Sequence, residues 1–337
     1  MILWIGFLLL VLACLALDLG AFHRRHADGS GTTLREAVRW TAIWIAVGVA
    51  FSGVIYVLYQ FKVDGAVLHT PKGHVEHDGT QASLLYLTAY LLEKSLSIDN
   101  LFVIAIVFKS FRVPAAHQHR VLRWGILGAI VLRGLMIGGG IILVQRFTWL
   151  FYLFGLYLAY AGVKLMFTDE DGGGEGVEGS WFQRSMRRVL PISSHLEEDH
   201  FSTTVDGKWM LTPLFLCLLV VEATDVVFAV DSVPAVLGIS VDPFICYTSN
   251  IFAIMGLRSL YFVLSDLMAR FEYLKHALSL VLIFIGVKLF CHHWIALYVP
   301  QTLSIAFSLA FIVVTMTVGI AWSWRKTTNA AGANGAS

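Results

Sequence analysis

The chain has 337 residues, 57% of them hydrophobic and 14% charged, with a mean hydropathy of +0.73 and a net charge of +1. A soluble domain carries about 25% charged residues, so this composition excludes an ordinary water-soluble fold and points to a polytopic helical membrane protein. The charge balance gives no reason to expect nucleic acid as a partner, and four scattered cysteines without a CxxC exclude a zinc ribbon or a disulfide framework.

A bilayer crossing takes about 20 mainly apolar residues. Nine segments qualify: 2–19, 38–60, 83–108, 121–144, 148–167, 211–234, 244–264, 273–291 and 302–324. The first lacks a basic region before its apolar stretch and reads as a retained span rather than a signal peptide. Arg24, Arg25, Arg35 and Arg39 follow the first span, Lys62 and Lys72 the second, and Lys109, Arg112, Arg120 and Arg123 the third. The alternation continues with Arg146, then Arg184, Arg187, Arg188 and Lys208, then none across 235–243. Arg270 and Lys275 come next, then none, and finally Arg325 and Lys326 in the tail. Basic loops favour the cytoplasm, which predicts an outer N-terminus and an inner C-terminus. The loop 168–208 is then cytoplasmic, with a flexible Asp169–Gly174 stretch and a basic amphipathic helix over Trp181–Leu190. The tail 325–337 is small and polar and is expected to be disordered.

The expected fold is all-α, a single membrane domain over 1–337 with an internal repeat. Leu132-Arg133-Gly134-Leu135 is echoed by Leu257-Arg258-Ser259-Leu260, an offset of 125. Gly162-Val163-Lys164-Leu165 recurs unchanged as Gly286-Val287-Lys288-Leu289, an offset of 124. Asp99 and Phe102 match Asp225 and Phe228 at 126. Spans 3–5 (83–167) thus correspond to spans 6–8 (211–291), and an odd number of spans per unit makes the two units inverted. Inverted repeats with binding groups near the midplane are an architecture of secondary transporters.

Two spans carry the acids. Glu93, Ser97 and Asn100 are spaced i, i+4, i+7 and share one helical stripe, whereas Asp99 falls off it. In span 6, Glu222 and Asp225 are i, i+3 neighbours with Ser232 near the same face. Asp231 projects opposite Glu222, so either it belongs to a separate outer site or the helix breaks near Pro234. Buried acids at membrane depth are costly and usually functional. Carboxylates with amide and hydroxyl oxygens suit a hard divalent cation, magnesium, calcium or manganese. Burial favours the protonated acid and a bound cation the carboxylate, so the same acids can exchange a metal for protons. Arg133 and Arg258 are expected to take part of the negative charge in interhelical pairs, Asp18 to pair with Arg24 or Arg25, and Lys164 and Lys288 to snorkel at span ends. The outer His69, His74, Glu76, His77 and Asp78, and His292-His293, read as polar loop residues rather than a metal collector. No Walker loop, nucleophile elbow or HExxH is present, so no enzyme is expected.

At Glu93-Lys94-Ser95-Leu96-Ser97-Ile98-Asp99-Asn100 and from Glu222 to Ala235 the chain resembles the TerC family, and within it the Alx-like members. Ser249 to Phe262, and Asp18 followed by Phe22-His23-Arg24, are also typical. The resemblance covers about residues 1–325. It implies a bacterial inner-membrane protein of the LysE-like transporter superfamily, associated with manganese efflux and in some members tellurite resistance. The residues themselves reach only to a hard divalent cation; manganese is what the resemblance adds. The expected metal ligands are Glu93, Asp99, Asn100, Glu222, Asp225 and Asp231, supported by Ser97, Ser232, Arg133, Arg258 and Asp18. No prosthetic cofactor is expected; the partners are the lipid bilayer, a transported cation, most simply Mn2+, and protons. The alternatives are a membrane scaffold in metal or tellurite stress that transports nothing, and a transporter of Ca2+ or another divalent cation.

Overall fold

Backbone polar groups find no water in hydrocarbon, so long apolar segments must satisfy their own hydrogen bonds, as helices do. Each of the nine apolar segments is helical in the computed structural model, which describes residues 2–23, 33–63, 77–111, 113–147, 149–167, 201–205, 208–267, 274–291, 294–295 and 298–334. The helices are α1 (Ile2–His23), α2 (Leu34–Gln60), α3 (Gly79–Ser110), α4 (Ala115–Arg146), α5 (Leu150–Phe167), α6 (Pro213–Ile239), α7 (Pro243–Ile254), α8 (Leu257–Leu267), α9 (Leu274–Phe290) and α10 (Gln301–Asn334). Among the described residues, three helical stretches, Leu34–Gln60, His117–Val144 and Pro213–Ile239, are long and apolar enough to cross a membrane. α3 has the length, 32 residues, but holds Glu93, Lys94 and Asp99 in its middle. The surface is apolar, with Leu9 62% and Leu135 70% exposed, while the largest fully buried side chains are Arg133 and Arg258. That reverses the usual arrangement of a soluble protein and suits a lipid surround.

Four features were open or unseen in the sequence reading. Of its two alternatives for Asp231, the break near Pro234 is not found, since α6 runs unbroken from a Thr212 cap to Ile239. The lost backbone bond is tolerated because neighbouring helices hold the segment: a Cβ at Gly140 of α4 would lie 2.9 Å from Leu237 and 3.2 Å from Val233. The break falls instead inside the segment 244–264, between α7 and α8, where Gly256 has φ +73°. A Cβ there would meet the Trp44 side chain at 2.7 Å, so conformation and space both require glycine. Third, α10 extends to Asn334, across a stretch without proline that includes Arg325, Lys326, Ala330 and Ala331. Fourth, β1 (Ser202–Val205) and β2 (Lys208–Leu211) form an antiparallel hairpin where a loop was expected, with Ser202 opposite Leu211 and Val205 opposite Lys208. The Asp169–Gly174 stretch and the expected helix Trp181–Leu190 lie outside the described residues.

α5 and α9 approach backbone to backbone. A Cβ at Gly162 would lie 2.9 Å from both Ile283 N and Ser279 O. A Cβ at Gly286 would strike Ala159 N and lie 2.7 Å from Gly155 O. Gly162 and Gly286, Ala159 and Ile283, and Gly155 and Ser279 are each 124 residues apart, so the two helices make the same contact reciprocally. The Ser279 hydroxyl donates across this seam to the Gly162 carbonyl.

Candidate functional site

α3, α4 and α6 bring the first group of charges together. Arg133 of α4 is buried between two acids: its Nη1 pairs with Glu93 Oε1 of α3, and its other nitrogens fork onto Asp225 of α6. Nε donates to Oδ2 at 3.3 Å and Nη2 to Oδ1 at 3.1 Å. Asn100, seven residues after Glu93 on the same stripe of α3, donates its Nδ2 to Asp225 Oδ1 at 2.7 Å. Ser97 lies on that stripe and is fully buried. Glu222, one turn before Asp225, rests its carboxyl against Gly128 of α4, where any Cβ would collide with it. Glycine at 128 is therefore what admits this acid.

Several oxygens in this region are left over. Glu93 Oε2, Ser97 Oγ, Asn100 Oδ1, Glu222 Oε2 and Ser232 Oγ are buried without a hydrogen-bond partner. Buried acceptors are seldom left unsatisfied without a reason. Glu93 and Asp225 share the Arg133 guanidinium, and Glu222 lies one turn from Asp225 against Gly128, so among the described residues of this cluster the acids outnumber the guanidinium that holds them. Among the described residues no three His, Cys, Asp or Glu side chains converge closely enough to hold a metal. The guanidinium occupies the place between Glu93 and Asp225. The side chains of Asp99 and Asp231, also expected as ligands, lie outside the described residues. A cavity of about 330 Å³ opens beside the guanidinium, lined by Arg133, Tyr157, Tyr160, Lys164, Phe228 and Ser232 among others.

A second group surrounds the α7–α8 break. Arg258 of α8 donates its Nη2 to the backbone oxygen of Asp18 of α1 and lies 3.5 Å from the Asp18 carboxylate. Asp18 thus pairs with a base far along the chain; Arg24 and Arg25, the partners expected from the sequence, lie outside the described residues. Lys94, next to Glu93, turns the other way: its Nζ donates to Ala253 O at 3.1 Å and Met255 O at 3.0 Å. The sequence reading gave Lys94 no role. Lys164 lines the cavity, and Lys288 donates to Ser308 Oγ of α10 at 2.7 Å, so it is tied into the bundle rather than snorkelling.

At the ends of α2 and α6 lies a third polar cluster, whose titrating members Asp242 and His77 are outside the long apolar stretches. Asp242 caps α7, accepting from Phe244 N at 2.9 Å and Ile245 N at 3.3 Å, and takes the Tyr59 hydroxyl at 2.7 Å. Burial raises the Asp242 carboxyl, against the lowering effect of those hydrogen bonds and of His77. Burial holds His77 below its ordinary value. Of the other outer histidines and acids, His69, His74, Glu76 and His292-His293 lie outside the described residues.

These features sit on a chain with clear relatives. It is 42% identical over 289 residues to "Uncharacterized membrane protein STKORF319" of Myxococcus xanthus, covering 85% of this chain and 82% of that one. It is 38% identical over 321 residues to the Escherichia coli (strain K12) protein described as "Putative membrane-bound redox modulator Alx", covering 95% and 94%. A Rickettsia bellii membrane protein is 38% identical over 315 residues, covering 93% and 96%. No solved structure matches the chain. The sequence profile of the family described as "Integral membrane protein TerC family" matches residues 78–330, which takes in both arginines and all the acids around Arg133. By that match and by relatives aligned over nearly its whole length, the chain is a member of the TerC family of integral membrane proteins.

Proposed function

We propose that this TerC-family protein exports divalent metal cations, Mn2+ first among them, in exchange for protons. The observation that carries this reading is the Arg133 cluster: Glu93 and Asp225 share one guanidinium, Glu222 is a turn away, and buried oxygens nearby lack hydrogen-bond partners. A hard divalent cation is the ligand that suits such carboxylate, hydroxyl and amide oxygens as Glu93 Oε2, Ser97 Oγ and Asn100 Oδ1. Arg133 then acts as a resident counter-ion. A metal entering between Glu93 and Asp225 displaces its guanidinium, and the cavity beside it offers room for that movement. Protons return to the acids when the metal leaves, which avoids bare buried charge. Asp99 and Asp231 are proposed as further ligands.

The proposed frame is nine spans in the bacterial inner membrane, N-terminus outside and C-terminus inside, with spans 3–5 and 6–8 as inverted repeats. The reciprocal α5–α9 contact at a single offset of 124 supports the repeat. The redox description of the Escherichia coli relative is compatible with a metal-handling role, since manganese balance bears on oxidative chemistry. Cys14, Cys217 and Cys246 are free and buried and Cys291 is free and half-buried; a redox effect here is proposed to follow from metal content. The test is the manganese content of cells producing wild type or Asp225→Ala. Wild type lowers it and the variant does not; equal effects from both proteins, or none from either, would overturn the reading in favour of a scaffold. Competition among cations in proteoliposomes separates manganese from calcium.

A further inference from the structure

The α7–α8 break sets the C-terminal end of α7 inside the bundle, where its last carbonyls have no helical donors. The same end carries the negative pole of the helix dipole, so its natural partner is a cation. In secondary transporters, unwound carbonyls and half-helix C-termini hold the coupling ion. Here the Lys94 ammonium binds two carbonyls on either side of the last helical residue, Ala253 O at 3.1 Å and Met255 O at 3.0 Å, and Lys94 is 8% exposed. Gly256 makes the unwound turn possible, and Trp44 packs against it. Lys94 and Arg258 are two basic groups that both act on one carboxylate, Asp18.

We propose that the helix break is a backbone cation site in which Lys94 takes the place of an alkali ion, and that metal transport is therefore not coupled to sodium or potassium. A cation on a side chain cannot dissociate, so the site stays filled through the transport cycle and pins α3 to the α7–α8 turn. The inference rests on the transport reading for its second half, but the cation site itself does not.

Two measurements on the full chain separate the parts. The first is the melting temperature of the purified protein in sodium, potassium or choline chloride at equal ionic strength. Wild type gives the same value in all three. Lys94→Ala empties the site without adding bulk, melts lower in choline, and regains stability with a saturating dependence on sodium or potassium. Lys94→Met removes the charge but keeps the stem in place, and its lowered stability ignores the salt. The second measurement is metal flux in proteoliposomes: wild type is equal in the three salts, and Lys94→Ala rises about 5-fold or more when sodium or potassium replaces choline. Alkali-dependent stability or flux in wild type overturns the proposal, and so does a Lys94→Ala protein indifferent to both ions. Should that variant fail to fold, the wild-type salt comparison decides. Absence of any wild-type flux overturns the transport reading while the melting series still judges the cation site.

Discussion

Arg133 and Arg258 occupy matching tetrapeptides and are both buried, yet their surroundings differ. Arg133 holds Glu93 and Asp225 with Glu222 close by, so the acids outnumber the guanidinium. Arg258 pairs with Asp18, and Lys94 acts on that same carboxyl, so two basic groups face one acid. On the reading proposed above, the same buried arginine marks a place that attracts a cation at one site and a place where the cation is already supplied at the other. A buried charge is affordable only when paired, and the pairing decides whether the site is open to a ligand.

The comparison is broken most severely by Asp225→Ala, which removes the carboxylate that Arg133 and Asn100 both hold. Metal export should fall to the level of cells lacking the protein, read as cellular manganese. Arg133→Gln and Arg258→Gln each break a buried pair and should each cost about 3–5 kcal/mol of stability. They should then part company: added Mn2+ restores the melting temperature of Arg133→Gln, whose site has become more negative, and does nothing for Arg258→Gln. Equal responses to Mn2+ would mean that the two arginines are equivalent struts. Gly256→Ala forces a side chain into φ +73° and against Trp44, and should cost about 1–3 kcal/mol without changing metal affinity.

The smallest effect concerns pH. Burial holds the folded-state value of His77 below its ordinary 6.5, although Asp242 and Asp78 pull it upward. The unfolded chain therefore binds this proton more readily, so the stability contributed is present above 6.5 and is lost as pH falls below it. His77→Gln should melt with a flatter dependence on acidification. The raised carboxyl of Asp242 acts in the opposite direction and is itself coupled to His77, so the difference between the two curves reports the pair.

The helical segments were legible because hydrocarbon demands a fixed length of apolar residues, and each segment is helical, 244–264 as two helices. The stripe of Glu93, Ser97 and Asn100 was legible from helical period alone. Its meeting with Asp225 through Arg133 was not, since sequence ranks the possible partners of a buried base but cannot choose among them. Pro234 looked like the break because its missing N–H is visible in the sequence, whereas Gly256 sits unmarked in an apolar run. Its need appears only once Trp44 is packed against it. Lys94 was obscured by its neighbour Glu93, although adjacent helical positions point in different directions and serve different sites. Asp206-Gly207 was a hairpin signal that went unused, flanked by Thr203-Thr204-Val205 and Lys208-Trp209-Met210, which pair in the structure.

The glycine seam between α5 and α9 has a mechanical consequence. Two halves that exchange conformations during a cycle turn about the axis relating them, and parts that touch identically from both sides keep the same neighbours before and after. Gly162 facing Ile283 and Ser279, and Gly286 facing Ala159 and Gly155, are such parts. In the proposed transport cycle this seam would be the fulcrum, and a bulky residue wedged into it would jam the lever without touching any ion.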